Sequence, residues 1–349
     1  MKKNTENYYI DFYRFIFSFI ILMYHSWIFT GEYGLGYFNS GYYGVDFYFI
    51  VTGYLMMNSI KKLGNINENI TKMTFKYISN KFLKLLPALI ITFFVGCILV
   101  YGKELFSIKL IFSNKIWGEL LQLGIFGYEL SINSSWWYIS AMFVVLLILY
   151  PLALKFKNSY IYYIAPLLLL LSLMIINYYH ININDPMPVT LFFRNGFYKG
   201  LIFIILGNIS YVCTEKIKSL TISKIKKIVL TFIETTFYII LILNMHFAFL
   251  DSILIAILFL ICISLTFSNQ TLISKYFKSN LWKKIGSIGF YMYLCQISIR
   301  TFLLKYTDHN YHHMLLNYVI LTMIISLILY FIIEKLLKKK LLPLFKKMI

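Results

Sequence analysis

The chain reads as an all-α integral membrane protein, a bundle of about ten transmembrane helices with both termini cytoplasmic. Three observations predict this. Hydrophobic residues make up 60% of the 349 and charged residues only 13%, where a soluble globule carries about 25% charged residues. The apolar residues fall in continuous runs, several near or above the roughly 18 residues that cross a ~30 Å hydrocarbon core. A barrel would alternate instead. Finally, the basic residues gather in every second connection, as the positive-inside rule requires.

In order, the spans fall at about 12–29, 42–60, 85–102, 136–154, 160–179, 197–213, 228–247, 249–267, 285–304 and 315–334. Spans seven and eight are separated by almost nothing, which predicts a tight antiparallel hairpin. With the N-terminus inside, 25 of the 33 Lys and Arg fall in cytoplasmic segments, 7 on the opposite side, and Arg14 within the first span. A miscounted span would scramble that alternation. Lys2 and Lys3 precede the first apolar run as in a signal peptide, but no small-residue cleavage site follows. That run is expected to be a retained helix. The outer connection at 103–134 holds LFSIKLIF and IWGELLQLGIF, apolar but short and interrupted, which predicts interfacial or re-entrant segments. Residues 1–349 form one expected transmembrane domain.

A formal net charge of +19 raises the question of nucleic acid. Because the charge sits in loops between apolar spans, the expected partners are anionic lipid headgroups and not nucleic acid. Cys97, Cys213, Cys262 and Cys295 are scattered through apolar stretches without paired spacing, so neither a disulfide framework nor a zinc site is expected. DHNYHH places Asp308, His309, His312 and His313 in an outer loop, with a spacing that fits no standard metal site. No metal is expected.

The first span, IDFYRFIFSFIILMYHSWIF, carries Arg14 and His25 eleven residues apart, about 16 Å of rise and within about 20° of one helix face. An Arg inside a span costs ~2.5–3.5 kcal/mol on insertion scales. A carboxylate, a water-filled cavity or an anionic ligand must offset that cost; Asp11, one turn earlier, and Glu334, at the inner end of the last span, are candidate partners. His25 lies near the outer end, and a lone membrane histidine is commonly a helix-to-helix hydrogen bonder. However, GYYGVDFYFIVTGYLMMN opens the second span with Asp46, at a depth comparable to His25. A carboxylate beside an imidazole fixes its tautomer and raises its basicity. A group with a reference pKa of ~6.5 suits general-base removal of a hydroxyl proton at neutral pH.

Arg14 and His25 with ten residues between them, followed by GVDFYFIVTGYL, resemble the acyltransferase-3 family of membrane O-acyltransferases. NKFLKLLPAL, SSWWYISAMFVVLLILYPL, FFRNGFYKGLIFIILG, GSIGFYMYLCQISI and FIIEKLL resemble further segments of that family, spread over nearly the whole chain. The resemblance implies a stand-alone, multi-pass enzyme of the cell membrane. It would move an acyl group, acetyl in the first instance, from cytoplasmic acyl-CoA to a hydroxyl of an extracytoplasmic glycan or lipid-linked sugar.

The resemblance also implies roles. His25 would be essential, with Arg14 and the pair Lys81 and Lys84 on the acyl-CoA side. For the two lysines, ordinary positive-inside anchoring is the competing reading. The family's basic pair is usually arginine, and Lys offers a point charge without bidentate phosphate binding. Gln296 stands where the family often has histidine, and Ala141, Met142 and Phe143 stand where many members carry acidic residues. Trp136, Trp137 and Tyr138 are expected at the outer interface, either as an aromatic belt or stacked on a sugar ring. Arg194 faces the same side and could meet an anionic glycan or its lipid phosphate. Two other functions compete: a multi-span transporter, although no Gly- or Pro-broken symmetry of two halves is visible, and a non-catalytic partner in polysaccharide export.

Overall fold

The computed structural model describes residues 7–30, 36–63, 69–102, 114–306 and 311–337. Lys2, Lys3, the stretch 103–113, Asp308, His309 and the lysines of 338–347 lie outside them. Helix α1 (Tyr8–Tyr24) opens on Asn7, whose side chain accepts the Tyr9 N–H, and runs into a 3₁₀ turn, His25–Thr30. Then come α2 (Gly44–Lys62), α3 (Ile70–Tyr101), the short α4 (Asn114–Leu120), and α5 (Trp137–Phe156). A π-helical turn, Tyr160–Ile164, leads into α6 (Ala165–Tyr178). A two-stranded hairpin, β1 (Val189–Thr190) and β2 (Phe193–Arg194), pairs Val189 with Arg194. The chain continues with α7 (Asn195–Ser219), α8 (Lys224–Phe247), α9 (Ser252–Ser268), α10 (Asn280–Tyr306) and α11 (Tyr311–Tyr330).

Each of the ten expected spans coincides with a helix. Among the described residues eight are long and apolar enough to cross a membrane, and α9 is a shorter apolar helix. α2 is less apolar, and its place explains why. It packs against α1, α5, α7 and α9, so most of its surface, Asp46 included, is buried against protein. A helix with little lipid contact need not be apolar all round. Helices α8 and α9 form the expected hairpin, turned at Ala248 and capped by the Asn244 side chain, which accepts the N–H groups of Phe249 and Leu250. Among the described residues after α3, the helix α4, with Glu119 buried, and a 3₁₀ turn, Gly124–Phe126, are each far shorter than a span.

Two parallel helix pairs organise the bundle. Along α2 and α7, Asp46 meets Lys199, Gly53 meets Gly207 and Lys61 meets Glu215, a nearly constant offset along the chain. At the crossing a Cβ on Gly53 would lie 2.0 Å from the Ile204 carbonyl oxygen, and one on Gly207 would lie 2.1 Å from that of Ile50. Only glycine permits that approach, as in small-residue contacts between membrane helices. Along α1 and α10, Gly286 lies against Asp11 and Gly289 against Phe15. The first and ninth expected spans, remote in sequence, therefore run side by side in the same direction.

Candidate active site

His25 closes α1, its N–H donating to the Ile21 carbonyl. The helix thus continues unbroken from Arg14 to His25; the Arg14 carbonyl lies beside Gly289 of α10, and Arg300 of α10 is His25's electrostatic neighbour. Half-buried, His25 lines a cavity of about 530 Å³ together with Tyr42, Trp137, Lys199, Tyr293 and Arg300. The loop before β1 completes the wall with Asn182, Asn184 and Asp185.

Asp46 does not pair with His25. Lys199 lies 2.9 Å from Asp46 Oδ1, the two side chains 2% and 0% exposed. The approach has the distance of an ion pair but not the alignment of a hydrogen bond, and neither carboxylate oxygen has a hydrogen-bond partner. The expected imidazole–carboxylate pair is therefore replaced by an ammonium–carboxylate pair in the cavity wall. Parallel packing of α2 on α7 brings Lys199 to the depth of Asp46 and takes the carboxylate towards α7. The Lys199 ammonium also lies over the Tyr42 and Tyr43 rings, 5.4 and 5.6 Å from their centroids.

Of the two carboxylates expected to hold Arg14, Asp11 does so, at 2.6 Å; Glu334 accepts instead from the Tyr291 hydroxyl at 2.8 Å. Lys81 lies within electrostatic reach of Arg14 and Lys84, so these three cations gather at one end of the bundle. A second cavity, of about 540 Å³, opens where Lys61, Lys157 and Lys216 meet Tyr162 and Tyr211, and neither Lys81 nor Lys84 lines it. Between Arg14 and His25 stand Tyr48, Tyr138 and Tyr293, whose ring centroids lie 6.0 to 6.3 Å apart. The Tyr48 hydroxyl donates to the Arg14 carbonyl at 2.5 Å and lies equally close to Ser18 Oγ.

The aromatic triplet divides three ways. Trp136 is 1% exposed and its indole N–H donates to the Leu294 carbonyl at 3.1 Å; it is a staple between α5 and α10, not an interfacial ring. Trp137 lines the cavity. Tyr138 faces inward, its hydroxyl 3.4 Å from Thr52 Oγ1 and its ring against Phe49. Arg194 donates to the carbonyls of Gly124, Gly127, Tyr128 and Met187, four bonds from its five N–H groups, and so clasps loops where a free guanidinium for an anionic ligand was expected. Sequence reasoning missed Lys199 and Arg300, counted only as outer-side charges, and Tyr293, whose hydroxyl donates to the Ser135 carbonyl. A lysine set within the apolar run FYKGLIF was the available signal, since such a charge demands a partner. Among the described residues no three His, Cys, Asp or Glu gather as a metal-binding set.

Glu119 orders the floor of this region. Fully buried, it accepts the N–H groups of Ser131, Ile132 and Asn133 at 3.0, 2.9 and 2.5 Å, and Asn133 Oδ1 accepts from Ser298 Oγ on α10. Burial pushes its carboxyl up to about 7, against the downward pull of the three donors. A carboxyl raised from an ordinary value of 4.5 to about 7 in the fold stabilises the protein more as pH falls from about 7 to 4.5, and that stability is lost as pH rises through 7. The slope is at most about 1.4 kcal/mol per pH unit. Thermal unfolding of the detergent-solubilised protein at pH 5.5 and pH 8 should show this difference, and Glu119→Gln should flatten it. An equal slope in the variant would remove Glu119 as its source.

A family model described as an acyltransferase domain matches residues 7–334. No curated protein and no solved structure matches the chain. The match spans both parallel helix pairs and every residue of the cavity, so the chain belongs to the acyltransferase-3 family and is a multi-pass membrane O-acyltransferase.

Proposed function

We propose that this chain transfers an acetyl group from cytoplasmic acetyl-CoA to a hydroxyl of an extracytoplasmic glycan or lipid-linked sugar. The observation that carries this reading is the cavity that His25 shares with Lys199, Trp137, Tyr293 and Arg300. The imidazole takes the acceptor hydroxyl proton as that oxygen attacks the thioester carbonyl. The C–O bond forms, the C–S bond breaks, and the proton passes to the departing thiolate, leaving free CoA. No net proton is consumed.

The remaining residues serve this reaction from both ends. Arg14, Lys81 and Lys84 form the cationic end towards which the CoA phosphates are drawn. Arg14 acts there with Asp11 as its fixed partner. Trp137 gives the acceptor ring a flat apolar surface. Trp136, Tyr138 and Arg194 act as positioning residues, through the staple, the inner tyrosine cluster and the loop clasp. Asp46 acts through Lys199, fixing the ammonium in the wall beside the acceptor.

Mass spectrometry of cell-surface glycans from cells with and without the gene tests the reading. An acetyl substituent present only when the gene is intact is the expected result. Identical acyl substituents in both would overturn it.

A further inference from the structure

Gln296 is completely buried in α10, and neither its amide nitrogen nor its amide oxygen has a hydrogen-bond partner. Leaving a buried polar atom unmade costs about 1–3 kcal/mol, and this side chain leaves two. Its position along α10 is the second observation. Tyr293 and Arg300 both line the His25 cavity, and Gln296 lies three residues from one and four from the other. At 100° per residue the three fall within about 60° on one helix face, with Gln296 about 6 Å further in than Arg300. Gly286 and Gly289 of the same stripe rest on α1, so the parallel register places Gln296 one turn inward of His25.

The surroundings share the same deficit. The Tyr318 hydroxyl and Thr322 Oγ1 on α11 are likewise buried without partners. Tyr318 lies within electrostatic reach of Cys295 and Arg300, which flank Gln296 along α10. This layer therefore holds a side-chain amide with donor and acceptor both open, one turn inward of the imidazole by register and behind the residues that line the cavity. An oxyanion would use only the donors. A ligand amide uses both, and the pantetheine arm of an acyl-CoA carries two.

We infer that Gln296 is a positioning residue that binds an amide of the donor's pantetheine arm through both ends of its side chain, setting the thioester at the depth of His25. This rests on the donor assignment made above.

The test uses the full chain in detergent or nanodiscs. Its donors are acetyl-CoA, S-acetylpantetheine and the amide-free S-acetyl-2-mercaptoethanol, compared in wild type, Gln296→Leu and Gln296→Asn. Loss of two hydrogen bonds should raise the Leu variant's KM for the first two donors about fivefold to 150-fold, with kcat within about threefold. The amide-free donor should not distinguish the variant from wild type. Asn, with the amide one methylene short, should fall between.

Gln296→Leu should also melt no lower than wild type, because it replaces an unpaired buried amide with hydrocarbon. A merely structural glutamine would not behave so. An unchanged KM for acetyl-CoA, an equal rise for the amide-free donor, or a loss confined to kcat would each overturn the inference. CoA itself should raise the melting temperature of wild type and not of Gln296→Leu. If wild type is not stabilised, the donor assignment fails and this inference with it. If both proteins are stabilised equally, only this inference fails.

Discussion

Replacing His25 with alanine abolishes acyl transfer while leaving the membrane level and melting temperature of the protein near those of wild type. A positioned general base contributes about 10²–10⁴-fold, so residual activity at or below about one per cent is the expected outcome. The fold is spared for a specific reason. His25 is half-buried at the end of α1 and holds the helix through its backbone N–H, which alanine keeps. Its side chain faces the cavity, so truncation leaves no void inside packed protein. The measurement is transfer of labelled acetyl in membranes, with protein level and thermal unfolding recorded on the same samples. Activity within a few-fold of wild type would remove His25 from the reaction.

Lys199→Met is the second large effect, and it is one of stability. The partner of Lys199 is a fully buried carboxylate. Removing one member of a buried ion pair costs about 3–5 kcal/mol, because the other charge is left uncompensated. Against a total folding stability of about 5–15 kcal/mol, that lowers both the melting temperature and the amount of protein in the membrane. Asp46→Leu should do the same from the other side. The double variant Lys199→Met, Asp46→Leu should recover most of the loss, since hydrocarbon of similar volume replaces both charges. Single variants that melt within about 1 kcal/mol of wild type, or a double variant no better than either, would contradict the pairing. Transfer activity should stay low in the two variants that lack the lysine, because its ammonium is part of the cavity wall.

That pair also marks where sequence reasoning stopped. Each expected apolar run fell on a helix, eight of them in the described residues long and apolar enough to cross a membrane, because hydrocarbon thickness fixes run length. The α-helical period predicted Arg14 and His25 on one face of the first span, and α1 runs unbroken from one to the other. Pairing between helices was another matter. His25 and Asp46 belong to consecutive antiparallel helices and stand at similar depth, so their contact followed from adjacency alone. The competing partner, Lys199, comes from a helix more than 130 residues further along the chain, brought alongside by the Gly53–Gly207 crossing. No spacing rule encodes that crossing.

Trp136 shows the same limit in another form. An aromatic pair at a helix start reads as an interfacial belt, and only the Leu294 carbonyl opposite shows that one ring is a staple. Arg194 looked like a free outer cation because backbone carbonyls, its actual partners, leave no trace in a sequence.

The three tyrosines packed between Arg14 and His25 have an electrical consequence. On the proposed route the enzyme joins two solutions held at different potentials, and moving one elementary charge through 100 mV is worth about 2.3 kcal/mol. A permanently open duct would let ions and protons run down that gradient between catalytic events. Neutral phenol rings packed together, with the Tyr48 and Tyr293 hydroxyls committed to the carbonyls of Arg14 and Ser135, narrow that duct with uncharged groups. The membrane can then stay charged while an acyl carrier works through it.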